Sequence, residues 1–133
     1  MIGSDLYHHY CNYDKFVFKR PLLLQSAQAS LAEFNAELKT ALEQLHITKR
    51  NPLDQSLVGG TQTIGMLLNR PIPVVMEFKQ ALLRTFKQAL SSIEYEPMHP
   101  VANRITLDID LSSSWSVSLK DQGFHNSHVH PKR

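Results

Sequence analysis

The chain has no apolar run long enough to cross a bilayer. Its longest, Pro21 to Leu24 and Ile72 to Met76, fall far short of the ~18 residues a membrane-spanning helix needs. The amino terminus, Met1-Ile2-Gly3-Ser4-Asp5, has neither the basic nor the apolar region of a secretory signal, so no membrane partner and a cytoplasmic location are expected. A single cysteine, Cys11, rules out an internal disulfide, and with no base beside it in sequence it reads as a structural thiol. There is no Lys/Arg stripe. The formal charge of +2 is spread along the 133 residues, which argues against a nucleic-acid surface. Internal repeats and low-complexity tracts are also missing. Gly59-Gly60 is followed by neither a Lys-Ser/Thr pair nor P-loop spacing, so no nucleotide cradle is expected there. The lack of a His-Glu-x-x-His motif leaves a zinc hydrolase as a distant third reading.

What is present fits one small domain over residues 1–133, with a helical front over 1–100 and strands over 101–133; hydrophobic residues at 42% suffice for a core. Tyr13 to Lys19, rich in aromatic and β-branched residues and stopped by Arg20-Pro21, predicts a strand. Ser30-Leu31-Ala32-Glu33 has the form of a capping box. The helix it predicts, Ser30 to His46, carries Leu31, Phe34, Leu38, Leu42 and Leu45 on one stripe. His46 closes that helix and reads as a cap, not a ligand. Asn51 to Arg70 reads as a structured loop with a short strand. A second helix, Pro73 to Ile93, is marked by Phe78, Leu82, Phe86 and Leu90 at four-residue spacing. Leu38 and Phe86 are placed as core anchors. His99, isolated between Pro97 and Pro100, carries little functional weight.

The period then changes from helical to alternating. Ile105, Leu107, Ile109 and Leu111 predict one half-buried strand, and Trp115, Val117 and Leu119 predict another, with Trp115 buried. Asp108 and Asp110 fall on the polar side of the first and read as solvated. Asp121-Gln122-Gly123 predicts a turn, after which His125-Asn126-Ser127-His128-Val129-His130 puts three imidazoles within one hairpin's length. In an extended segment His128 and His130 share a face and can bite one ion, whereas His125, an odd number of residues away, faces the other way unless a bulge intervenes. A stable iron or zinc centre needs at least three protein ligands, so two are not a site.

Three segments together carry a likeness: Gln55-Ser56-Leu57-Val58-Gly59-Gly60-Thr61-Gln62-Thr63, Ser114-Trp115-Ser116-Val117-Ser118-Leu119, and Gly123-Phe124-His125-Asn126-Ser127-His128-Val129-His130-Pro131. In order and spacing the chain resembles the 2-oxoglutarate and iron(II) dependent oxygenases often found behind tetratricopeptide repeats, from about Tyr13 to the last residues. The resemblance implies a double-stranded β-helix, or jelly roll, preceded by helices, and a first set of iron ligands in the histidine segment. His128 matches the first histidine of the superfamily's His-x-Asp/Glu pair, and His130 stands where the carboxylate would be. His125, Trp115 and Gln62 are candidates for groups that support the ligands or line the pocket.

The family's distal histidine and the basic residue that pairs with 2-oxoglutarate would lie beyond Arg133. The expectation is therefore an α+β chain, two amphipathic helices packed on an antiparallel sheet, forming the front of a truncated jelly roll. The complete domain would use iron(II) and 2-oxoglutarate to hydroxylate an unknown substrate, while this chain alone is expected to be inactive. A jelly roll cut midway leaves an unpaired strand edge, so self-association through that edge is expected. The alternative is a non-catalytic interaction module whose histidines are surface groups.

Overall fold

The fold is taken from a computed structural model, which describes residues 4–25, 30–47 and 56–129. It is mixed α+β. Helices α1 (Ser4–Tyr10), α2 (Tyr13–Phe16), α3 (Leu31–Leu45) and α4 (Pro73–Leu90) accompany strands β1 (Leu57–Gln62) and β2 (Val117–His125), with a single 3-10 turn at Leu67–Asn69. Two compact units divide the chain, Met1–Gln25 with Phe78–Asp110, and Ser26–Glu77 with Leu111–Arg133. No helix among the described residues is long and apolar enough to cross a membrane.

In the second unit, α3 begins where the capping box puts it. The Ser30 hydroxyl accepts from the Glu33 amide at 3.2 Å and the Glu33 carboxylate accepts from the Ser30 amide at 2.7 Å, so two free donors of the first turn are satisfied reciprocally. Phe34 is fully buried, with Leu38, Leu42 and Leu45 half-buried; Leu31, at the exposed start, is not a core residue. The sheet is antiparallel and two-stranded, β1 with β2. Leu57 faces His125 and Val58 faces Phe124; pairing then resumes with Gly60 opposite Leu119, Thr61 opposite Ser118 and Gln62 opposite Val117.

Between those two runs β1 spends only Gly59 while β2 spends Lys120 to Gly123, a bulge that corrects the expected turn at Asp121-Gln122-Gly123. Gln122 does bend the backbone, at φ 64°, but inside β2, so the chain does not reverse; Gly59 opposite it in β1 is at φ 68°. The close approach explains the glycines. A Cβ on Gly123 would lie 2.6 Å from the Gly59 carbonyl oxygen and 2.9 Å from that of Lys120.

In the first unit the expected strand Tyr13 to Lys19 is instead the helical turn α2 followed by an extended segment. The Asn12 side chain accepts from the Lys15 amide at 3.1 Å and the Val17 amide closes on the Tyr13 carbonyl, so a local cap overrides β propensity that has no partner strand. Ile105 to Leu111 is likewise not a strand. Ile105, Ile109 and Leu111 keep partial burial, but the Asp108 amide bonds the Thr106 hydroxyl at 3.1 Å, a local turn that competes with ladder formation.

On helix α4 Val74, Val75, Ala81 and Ala89 are the buried residues, and Phe78, Leu82 and Leu90 of the expected stripe are half-buried. Phe86 is 51% exposed, which corrects its placement as a core anchor. Trp115 is 42% exposed and precedes β2, which corrects its placement in the core.

Candidate functional site

Strand β2 ends at His125, and there the ladder closes on Ser56. The Asn126 amide donates to the Ser56 carbonyl at 2.7 Å, and the Ser56 hydroxyl bonds His125 Nδ1 at 3.0 Å. Residues 126–129 leave the strand, so the alternation rule that separated His125 from His128 no longer applies. Their ring centroids lie 5.9 Å apart, inclined at 37°.

His128 Nδ1 lies 2.8 Å from the Asn126 carbonyl oxygen. A carbonyl only accepts, so Nδ1 carries the proton and the neutral ring keeps its lone pair on Nε2. That is the tautomer in which histidines ligate metals, and a backbone carbonyl is a usual partner for the other nitrogen. In His125 the serine hydroxyl occupies Nδ1, leaving Nε2 as the nitrogen available to a ligand. Both rings are exposed. The donor chemistry of these two histidines therefore fits a borderline transition-metal ion such as iron(II) or zinc. Among the described residues no group of three or more His, Cys, Asp or Glu is gathered to hold an ion. His130, the other expected ligand, lies outside the described residues.

Gln62 and Trp115 are not brought to this pair. Gln62 faces Val117 at the opposite end of the ladder from the Leu57–His125 pair, five residues or roughly 16 Å along β1. Trp115 precedes that same far end.

A third imidazole in this unit has a role beyond the cap its sequence position suggests. His46 is the C-cap of α3, and its ring reaches the sheet: Nδ1 lies 2.9 Å from Thr61 Oγ1 and Nε2 lies 3.0 Å from Ser116 Oγ. One nitrogen donates and the other accepts, so both are occupied and neither remains for a metal. Ser116 is held in turn, its amide donating to Thr63 Oγ1 at 2.9 Å and its carbonyl accepting from the Thr63 amide at 3.0 Å. His46, Thr61 and Ser116 line an open cavity of about 740 Å3 whose other wall is Leu38 and Leu42 of α3. The signal lay in the alternation of Thr61 with Thr63 and Ser116 with Ser118, which gives one sheet face a row of hydroxyls.

His99 was also underrated. It is 1% exposed, accepts at Nδ1 from the amides of Val101 (3.1 Å) and Ala102 (3.0 Å), and stacks on Phe16 at 4.6 Å. Close by, Lys15 pairs with Glu96. That hydrogen bond, with lesser help from the charge of Lys15, holds the Glu96 carboxyl below its usual range. No family model, curated protein or solved structure matches the chain.

Proposed function

We propose that this chain supplies the metal-binding front of an iron(II) and 2-oxoglutarate dependent dioxygenase-like domain of the jelly-roll type, with His125, His128 and His130 in the segment that holds the ion. The observation that carries the reading is the β1–β2 register. Segments more than fifty residues apart in sequence, those on which the oxygenase likeness rests, meet in one antiparallel ladder, and the ladder ends at the histidines. Iron, when bound, supplies open coordination positions for 2-oxoglutarate and oxygen. The protein's own part is to hold the two imidazoles together, with Ser56 and the Asn126 carbonyl orienting them through Nδ1.

On this reading the 133 residues bind divalent metal weakly and do not consume 2-oxoglutarate, since none of them serves as the distal histidine or the basic 2-oxoglutarate partner. Calorimetric titration should give copper(II) above zinc above iron(II), with binding weakening in acid because protonated imidazole cannot ligate. A His125→Ala, His128→Ala double variant should lose at least about tenfold in zinc affinity. Unchanged affinity would overturn the assignment, and turnover of 2-oxoglutarate would show that a full ligand set lies within the chain.

A second reading is favoured by the apolar side chains left on β2, where Leu119 is 48% and Phe124 51% exposed in a two-stranded sheet. A non-catalytic interaction module, its histidines surface groups, would present such a surface to a partner. Sedimentation across a concentration series separates the two, because self-association abolished by Phe124→Lys is what the unpaired edge of a jelly-roll front predicts, whereas a compact monomer at every concentration favours the module.

A further inference from the structure

The first unit contains a cleft of about 750 Å3, the size of a small-molecule site, walled by Phe16, Phe18, Leu82, Phe86 and Ile93. The polar groups in its lining give the cleft a chemical preference. His99 accepts two backbone amides at Nδ1, so its ring proton sits on Nε2, and that N–H is buried without a hydrogen-bond partner. A buried donor left unpaired is rare in folded proteins and marks a place where an acceptor is missing. Water is a poor candidate for a wall this apolar, because a buried water needs two to four polar partners. Arg20 lies in the same lining with its guanidinium 5.6 Å from the Phe18 ring centroid, and no carboxylate among the described residues pairs with it. Apolar walls, an unpaired cation and an unsatisfied N–H together select a ligand with an apolar body and an anionic, acceptor-rich head.

We infer that this cleft is a binding site for an aliphatic carboxylic acid of the fatty-acid class. The chain lies along the Phe16, Leu82 and Phe86 wall, and Arg20 holds the carboxylate through charge-assisted hydrogen bonds. His99, with its unpaired Nε2–H, belongs to the same lining. The site is separate from the histidine segment, and nothing in it depends on a metal.

The test is displacement of a fluorescent polyene fatty acid from the full 133-residue chain by saturated acids of increasing length and by the matching alcohols. Saturable binding is expected, tightening up to about fourfold per added methylene until the cleft is filled. Each alcohol should bind at least tenfold more weakly than its acid. Arg20→Gln, at an exposed position, should erase that gap, and Phe86→Glu, also exposed, should abolish binding by setting a charged carboxylate against the ligand's aliphatic chain. Equal binding of acid and alcohol, or full binding by Phe86→Glu, would overturn the site. So would an absence of saturable binding, including the case where sedimentation finds the cleft covered by a second copy of the chain.

Discussion

The unit containing residues 56–77 and 111–129 is held by a backbone ladder and a row of hydroxyls, whereas the one containing residues 4–25 and 78–110 is held by rings around one buried imidazole. In the first case the polar groups are shared among many partners: His46 with Thr61 and Ser116, Ser116 with Thr63, Ser114 Oγ with the Leu68 amide. In the second they converge on His99, which serves two backbone amides at once while Phe16 stacks on it and His9 and Tyr10 close its edges. A shared network loses one bond at a time. A hub loses everything that meets there.

The sharpest way to break this contrast is therefore His99→Ala. Two buried amides lose their acceptor and a cavity opens beneath Phe16, so the loss should be about 3 to 5 kcal/mol by chemical denaturation. A loss under ~1 kcal/mol would remove His99 from the centre of its unit. Next in size is Gly123→Ala, whose methyl would meet the Gly59 and Lys120 carbonyls and force the bulge to move, at a cost of about 2 to 3 kcal/mol. Amide exchange should then accelerate in β1 and β2, and unchanged protection there would mean the strands absorb the methyl without strain. Third is His46→Ala, at about 1 to 2 kcal/mol, because the half-buried hydroxyls it leaves can turn to water. A double-mutant cycle with Ser116→Ala should give a coupling energy of about 0.5 kcal/mol or more, and additivity would deny the bridge.

These contrasts also explain what could be read from the residues alone. The α3 boundaries were legible because Ser30 and Glu33 act within one turn and need nothing distant. A strand over Trp115 to Leu119 was legible from its alternation, and a short one somewhere within Asn51 to Arg70 was expected without bounds. Their pairing with each other was not, since register depends on a bulge that only the meeting of Gly59 with Gly123 creates. Ile105 to Leu111 misled for the converse reason: its alternation is a statement about two faces, and a strand also needs a ladder partner. In the candidate site, the histidine segment stood out by composition, but the parity rule that set His125 apart from His128 does not hold once the chain leaves β2 after His125. His99 gave no signal, because what buries it is the arrival of α1 and α2 residues some ninety positions earlier.

The smallest expected effect separates the units by the kind of bond each places on a carboxylate. Backbone and side-chain hydrogen bonds from Ser30 hold the Glu33 carboxyl below its ordinary value of 4.5, and the hydrogen bond from Lys15 does the same for Glu96. A carboxyl whose folded value is depressed stabilises the protein above its unfolded value, and that contribution is lost as pH falls from about 4.5 through the lower folded value. Both groups are solvent-facing, so each contribution is small. Thermal melts of Glu33→Gln and Glu96→Gln should each fall slightly below wild type at pH 7 and converge on it as the pH falls below the lowered folded values. Salt then tells them apart. At about 1 M, where the Debye length shrinks to about 3 Å, the Lys15–Glu96 pair is screened and the Glu96→Gln difference should vanish even at pH 7. The Glu33→Gln difference should persist, because its donors are neutral. Equal salt sensitivity in the two variants would mean that Glu96 is held by something other than the lysine ammonium.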